Sequence, residues 1–223
     1  NALEAALALK AAREAHVVVL SMGPPEAGEI VKECLALGAD EGILLSDRMF
    51  GGADAFATAR TLAAGIEKIG EVDLVLCGMA SSDGATEWVG PQIAVFLGAP
   101  VVTMVKEIVS TGTDGWEVKA EYENGYRRMR VMLPAVFTVT RDLNKPRTLS
   151  FSGIIKARKK TITQWDFAAL GVPETLVGVQ GSPTIVTAMG TTNNTRDVVF
   201  IEGTREEKAE ALVQKLADAG LIG

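Results

Sequence analysis

Apolar positions along the first hundred residues alternate between two periods. Residues 2–13 repeat Ala and Leu at helical spacing, and residues 16–22 form a short apolar run with the character of a buried strand. Gly23-Pro24-Pro25 ends that run, and prolines at a first turn open a helix to Leu37, with Gly38 as its C-cap. Residues 42–46 read as a short strand, 53–69 as a long amphipathic helix and 73–78 as another strand. Residues 87–97 read as a helix stopped by Gly98 and Pro100. Strand–helix–strand units of about 30 residues predict a parallel sheet with right-handed crossovers. Such a sheet usually begins with its nucleotide-binding strand, so the pattern also predicts a strand preceding Asn1.

The middle of the chain follows a different rule. Residues 116–122 and 126–132 alternate apolar and polar around Glu123-Asn124-Gly125, which predicts a β-hairpin with one wet face. Residues 135–140 return as an apolar strand. After Arg141 the pattern loosens into a short amphipathic piece at 153–158 and an irregular stretch to Pro183. A final helix at 205–216 carries an apolar stripe that needs a surface to rest on. The expected fold is α/β: an open, mainly parallel sheet with helices on both faces, a β-hairpin insertion and an extended C-terminal arm. Residues 1–150 form the expected nucleotide- or flavin-binding domain. Residues 151–223 form the arm, which is long enough to dock on partner subunits.

Composition narrows the function. With 48% hydrophobic but only 5% aromatic residues, the core is built from Ala, Val, Leu and Ile, as in sheets covered by helices. A net charge of −6 argues against nucleic acid, which requires a basic stripe. No apolar run approaches the roughly 18 residues that span a bilayer, and no signal peptide opens the chain. The expected compartment is the cytoplasm of a bacterium or archaeon, or a mitochondrial matrix. Cys34 and Cys77 lie far apart among apolar residues, like reduced core thiols, and with one His they make a poor metal set. His16 abuts a strand and reads as structural. No catalytic residue is expected, so redox chemistry would belong to a bound cofactor.

In open parallel sheets ligands bind at the carboxyl ends of strands. Two strand ends have suitable residues. Ser21-Met22-Gly23-Pro24 is small enough for a flat ring to approach the backbone, or is a plain strand-to-helix turn. The stronger stretch is Gly78-Met79-Ala80-Ser81-Ser82-Asp83-Gly84-Ala85-Thr86-Glu87-Trp88-Val89, continued by Gly90-Pro91. Its glycines let backbone N–H groups face an anion at a helix start, and Ser81, Ser82 and Thr86 can donate to phosphate oxygens. It contains no Lys or Arg, so it is not a Walker loop. Asp83 would accept from a ribose hydroxyl or cap the helix. A third stretch, Ser46 to Thr58, has a Gly51-Gly52 hinge before a helix start, where free N–H groups could hold a second phosphate or Asp54 could merely complement the helix dipole.

With these loops, the chain resembles the β subunit of electron-transfer flavoproteins over nearly its whole length. The resemblance rests on Asn1 to Lys10, Ser21-Met-Gly-Pro24, Leu37-Gly-Ala-Asp40, Asp73-Leu-Val-Leu-Cys-Gly78, Leu133-Pro-Ala-Val136 and Ile155-Lys-Ala-Arg-Lys-Lys160 taken in order. It implies a heterodimer with an α subunit and a nucleotide, FAD or AMP, held at Met22 and at Gly78 to Val89. It also implies that the segment from Pro146 to Lys160 grips an acyl-CoA dehydrogenase, with Phe151 as the apolar anchor. Ser46 to Asp54 and Val89-Gly-Pro91 resemble the electron-bifurcating branch, in which this subunit holds a second FAD that takes hydride from NADH. Ala80 to Thr86 departs from that branch, lacking its usual Gln and second Asp. The alternatives are a non-bifurcating subunit with a structural AMP and a nucleotide-sensing module without redox role.

Overall fold

The computed structural model describes residues 1–112, 115–188, 190 and 198–222. They form two compact units, Asn1–Ile185 and Val186–Gly223. The first unit holds two sheets. Strands β1 (Val18–Met22), β2 (Glu41–Leu45) and β8 (Thr163–Trp165) make a parallel sheet in the order β1-β2-β8. The second sheet has the order β3-β7-β4-β5-β6 and contains β3 (Leu74–Gly78), β4 (Val101–Gly112), β5 (Gly115–Tyr122), β6 (Gly125–Val131) and β7 (Ala135–Val139). Pairs β3·β7 and β4·β7 are parallel, whereas β4·β5 and β5·β6 are antiparallel. The single expected sheet is thus divided, and β1 and β3 each keep one edge without a strand partner among the described residues.

Four expected helices appear close to their predicted bounds: α1 (Ala2–Ala12), α2 (Gly28–Leu37), α3 (Ala55–Ile69) and α4 (Val89–Leu97). Gly38 ends α2 at φ 128°, a left-handed conformation that a residue with a Cβ resists. Helix α3 buries Ala57, Ala59, Ala63 and Ile66, small residues that let it lie close to β1. Among the described residues the buried apolar side chains form four clusters. Phe137, Val136, Val105 and Val118 are fully buried in the second sheet, and Leu45 in the first. The hairpin has the expected wet face. Trp116, Val118 and Ala120 are buried, while the Lys119–Glu107 and Arg128–Glu117 pairs lie on the other side.

The segment after Arg141 is more ordered than its pattern implied. Helix α5 (Phe151–Ala157) packs on α2, β8 extends the first sheet, and α6 (Phe167–Leu170) follows with an Asp166 cap. Residues 151–185 therefore build the first unit rather than trailing from it. Its approach is bolted to α1. The Asn1 side chain donates to the Asn144 carbonyl at 2.8 Å, and Arg147 donates to the Glu4 carboxylate through Nε at 2.7 Å and Nη2 at 2.8 Å. The Arg147 side chain is the main cause holding the Glu4 carboxyl below its usual value.

The second unit contains α7 (Arg205–Asp218), opened by a capping box between Thr204 and Glu207. None of its residues is buried, and Leu212 and Val213 are exposed within this unit. Residues 189, 191–197 and 223 of the expected arm lie outside the described residues.

Candidate functional site

Strand β3 delivers its last residue, Gly78, to the surface at the carboxyl end of the second sheet. From there Ala80 through Trp88 form an exposed loop, with a turn at Ser82-Asp83-Gly84. Ala85 and Glu87 have φ of 46° and 60°, a region unfavourable to residues with a Cβ. Val89 opens α4, and Gly90 faces inward, where a Cβ would stand 2.5 Å from Thr138 Cγ2. That absence of a side chain seats the helix start directly on β7 and beside Cys77.

Helix α4 begins without a side-chain cap, as α1 and α2 also do. Helices α3, α5, α6 and α7 each start with a side chain accepting from the first turn, namely Asp54, Ser150, Asp166 and Thr204. At α4 the N-cap position is Trp88, which offers no capping bond. The early N–H groups of Val89 and Gly90 keep their partial positive charge available to an outside acceptor. Asp83 does not cap the helix. Its carboxyl is held below the usual value by a hydrogen bond from Ser81 and then by the Gly84 N–H. Thr86 Oγ1 takes only a long 3.5 Å contact from the Trp88 N–H. The indole of Trp88 is 65% exposed and, with Pro91, Gln92 and Val95, borders a shallow apolar depression. The Gln92 side-chain oxygen is buried there with no hydrogen-bond partner.

These residues suit a nucleotide. Small side chains leave the backbone approachable; the nearest atom to a Cβ built on Gly78 is the Ala80 carbonyl oxygen, at 4.0 Å. Uncapped N–H groups and the Ser82 and Thr86 hydroxyls supply donors without a lysine, while the Ser81 hydroxyl already bonds Asp83. Met22 lies at the carboxyl end of β1, held opposite Leu45, and therefore in the other sheet from Gly78 to Val89. Burial pushes the Cys77 thiol, one residue before Gly78, up to about 11, so it is a core group without nucleophilic character. His16 bonds Glu41 at 2.9 Å at the surface.

The third stretch behaves differently from the phosphate reading of its sequence. Asp54 caps α3 by accepting from the Ala57 N–H at 3.0 Å. Its other oxygen accepts from the Thr184 hydroxyl at 2.7 Å and N–H at 3.0 Å. The Asp54 N–H donates to Ser182 Oγ. Asp47 accepts from the N–H groups of Met49 and Phe167. A Cβ on Gly52 would meet Val179 at 2.5 Å, and one on Gly178 would meet the Met49 carbonyl oxygen at 2.0 Å. The Asp54 N–H goes to Ser182, while the Asp47 and Asp54 carboxylates accept from Phe167 and Thr184, so the stretch is tied to residues 167–184 of the same chain. Sequence reading missed this because the partners lie 120 or more residues away and no local pattern links them.

Phe151, the expected anchor, begins α5 and is 79% exposed; it does not tuck beneath its own segment. Ile154 and Ile155 are exposed beside it. Of the cationic run, Lys156, Arg158 and Lys159 are exposed. Lys160 serves a structural purpose instead, donating to the carbonyls of Ala39 at 2.7 Å and Asp40 at 2.9 Å.

Fold and loop together define an α/β chain with an exposed glycine-containing loop at a strand end and an exposed apolar surface on α5. Residues 1–170 match the electron transfer flavoprotein domain. The chain is 44% identical over 224 residues to the caffeyl-CoA reductase-Etf complex subunit CarD of Acetobacterium woodii, spanning 100% of this chain and 85% of that protein. It is 41% identical over 222 residues to the electron transfer flavoprotein subunit beta of Clostridium acetobutylicum, with the same coverage. The acryloyl-CoA reductase electron transfer subunit gamma of Anaerotignum propionicum is 38% identical over 229 residues, again with 100% and 85% covered. The chain belongs to the electron transfer flavoprotein family, as a β subunit.

Proposed function

We propose that this chain pairs with an α subunit and holds FAD at Gly78 to Val89, passing electrons between NADH and an acyl-CoA dehydrogenase in a bifurcating complex. The observation that carries the nucleotide assignment is the glycine-rich exposed loop leading into the uncapped start of α4. When bound, FAD supplies the hydride and one-electron chemistry that no side chain here offers. The chain's own residues bind and orient. The N–H groups of Val89 and Gly90 with the Ser82 and Thr86 hydroxyls would hold the pyrophosphate, and Asp83, held by Ser81, would accept from a ribose hydroxyl. The dehydrogenase partner and the α subunit are supported by relatives named as subunits of caffeyl-CoA and acryloyl-CoA reductase systems. The bare apolar stripe of α7 also supports a partner subunit, because a helix that buries nothing gains little stability alone.

A specific observation favours a second reading, in which the same site holds a structural AMP. The Gly51-Gly52 loop, whose sequence resembles the FAD-holding branch, has its Asp54 N–H taken by Ser182 and its Asp47 and Asp54 carboxylates engaged by Phe167 and Thr184. Acid-released cofactor from the purified heterodimer separates the two. Two FAD per heterodimer is expected; one FAD and one AMP would overturn bifurcation and keep the site.

A further inference from the structure

The docking surface at Phe151 has an unusual foundation. Helix α5 is only seven residues long, too short to hold its own direction, yet it carries Phe151, Ile154 and Ile155 outward. Two contacts, one with the C-terminal turn of α2 and one just past it, fix it. At its start, the Cα of Gly153 comes so near the Ala36 carbonyl that a Cβ would lie 2.3 Å from that oxygen, about 1 Å inside ordinary van der Waals contact. The obstructing atom is backbone in a helix, so it cannot swing aside as a flexible side chain would. At its end, Lys160 donates to the Ala39 and Asp40 carbonyls, in the short connection between α2 and β2. Between the two, Ala157 is buried against Leu35 and Ala39. Ser150 caps α5 through the Gly153 N–H, which ties the tip of the helix to the same glycine.

We propose that Gly153 and Lys160 are positioning residues that seat α5 on the end of α2 and so present Phe151, Ile154 and Ile155 as a ready-made docking face for the acyl-CoA dehydrogenase. The inference rests on the reading of Phe151 as the anchor. Neither Gly153 nor Lys160 needs to touch the partner. Replacing Gly153 with Ala lifts the front of the helix off α2, and replacing Lys160 with Met frees its rear. Each change re-aims an apolar face whose contacts depend on direction, because a preformed surface binds without an ordering cost that a loose one must meet.

The test uses the intact αβ heterodimer and the acyl-CoA dehydrogenase purified from the same organism. Phe151→Ala, Gly153→Ala and Lys160→Met are compared for association by surface plasmon resonance and for steady-state electron transfer. Melting temperature and flavin content are measured alongside. At least tenfold weaker association is expected for Gly153→Ala. It should appear as a raised KM for the heterodimer with kcat little changed, at unaltered flavin content, and with faster amide exchange at residues 151–157. Lys160→Met should move in the same direction by a smaller factor. Normal association of both positioning variants, with Phe151→Ala impaired, overturns the seat and leaves the anchor standing. Normal association of Phe151→Ala overturns the anchor, and the seat with it. If Gly153→Ala does not fold, Lys160→Met decides alone: faster exchange in α5 with weaker association supports the proposal, and faster exchange with normal association refutes it.

Discussion

Removing the Asp54 carboxylate should loosen residues 166–184 as well as α3. Asp54→Ala deletes the α3 cap, a change that costs about 1 kcal/mol. It also deletes two bonds from Thr184, at 2.7 and 3.0 Å. Those lie at an exposed position, so together they contribute about 1 kcal/mol. A total of about 2 kcal/mol corresponds to a fall of roughly 4–8 °C in Tm for a unit of this size. Asp54→Asn keeps a competent cap and should cost about half as much. The pH dependence follows from the carboxyl. Burial raises it, but the Ala57 N–H and the two Thr184 bonds outweigh burial and hold it below its ordinary 3.8. A group with a depressed folded pKa stabilises fully above its unfolded value and loses that contribution as the pH falls through the folded one. The gap between wild type and Asp54→Asn should therefore be constant from neutrality down to about pH 4 and close below it. Thermal melts from pH 7 to 3, with limited proteolysis followed at residues 176–184, check both points. An Asp54→Ala protein that melts within about 1 °C of wild type at pH 7, with unchanged cleavage, would refute the latch.

Other expectations concern the nucleotide loop and the core. Gly84 has negative φ and nothing closer than Ser81 Oγ at 3.7 Å to its absent Cβ, so Gly84→Ala should fold and retain nucleotide. Gly84→Glu should fold equally well but lose nucleotide by more than about 3 kcal/mol, because its charge faces a pyrophosphate with no lysine to compensate; near-normal cofactor occupancy would sink that site. Gly90→Ala should destabilise by about 1–3 kcal/mol through overpacking on Thr138, read as a lower urea midpoint at unchanged slope. Cys77 should resist iodoacetamide at pH 7.5 until the protein unfolds, since its thiol titrates near 11; rapid labelling of the folded chain would contradict its burial.

The parts of the fold legible in the sequence are those whose signal is local. Helices α1 to α4 and the hairpin announce themselves through period and punctuation, and the glycine-rich loop through composition. Strand β4 was not readable, although it is the longest strand described. Met104 sits at φ 57° and the register with β5 shifts twice, so inward and outward positions do not alternate over its length. Strand β8 is three residues long, too short to show any period. The division into two sheets was likewise invisible, since pairing depends on which edges meet. In the candidate site, the sequence pointed to Gly78 through Val89 but not to the missing cap of α4, because whether Asp83 reaches the first turn depends on the conformation of the loop. It did not set Lys160 apart from Lys156, Arg158 and Lys159, because a cation that bonds distant carbonyls looks like any other cation in a run.

The bolt between α1 and residues 144–147 sets an order on biosynthesis. Its two halves stand 143 residues apart, so the ribosome must deliver most of the first unit before Arg147 can reach Glu4. At about 5–20 residues per second, α1 waits roughly 7–30 s for that contact. An isolated eleven-residue helix is marginal in water, so until then α1 depends on near partners: Leu3 packs with Leu35 and Ala39, and Lys10 pairs with Asp40. Helix α1 is thus held first by a near partner and fastened only later by a far one.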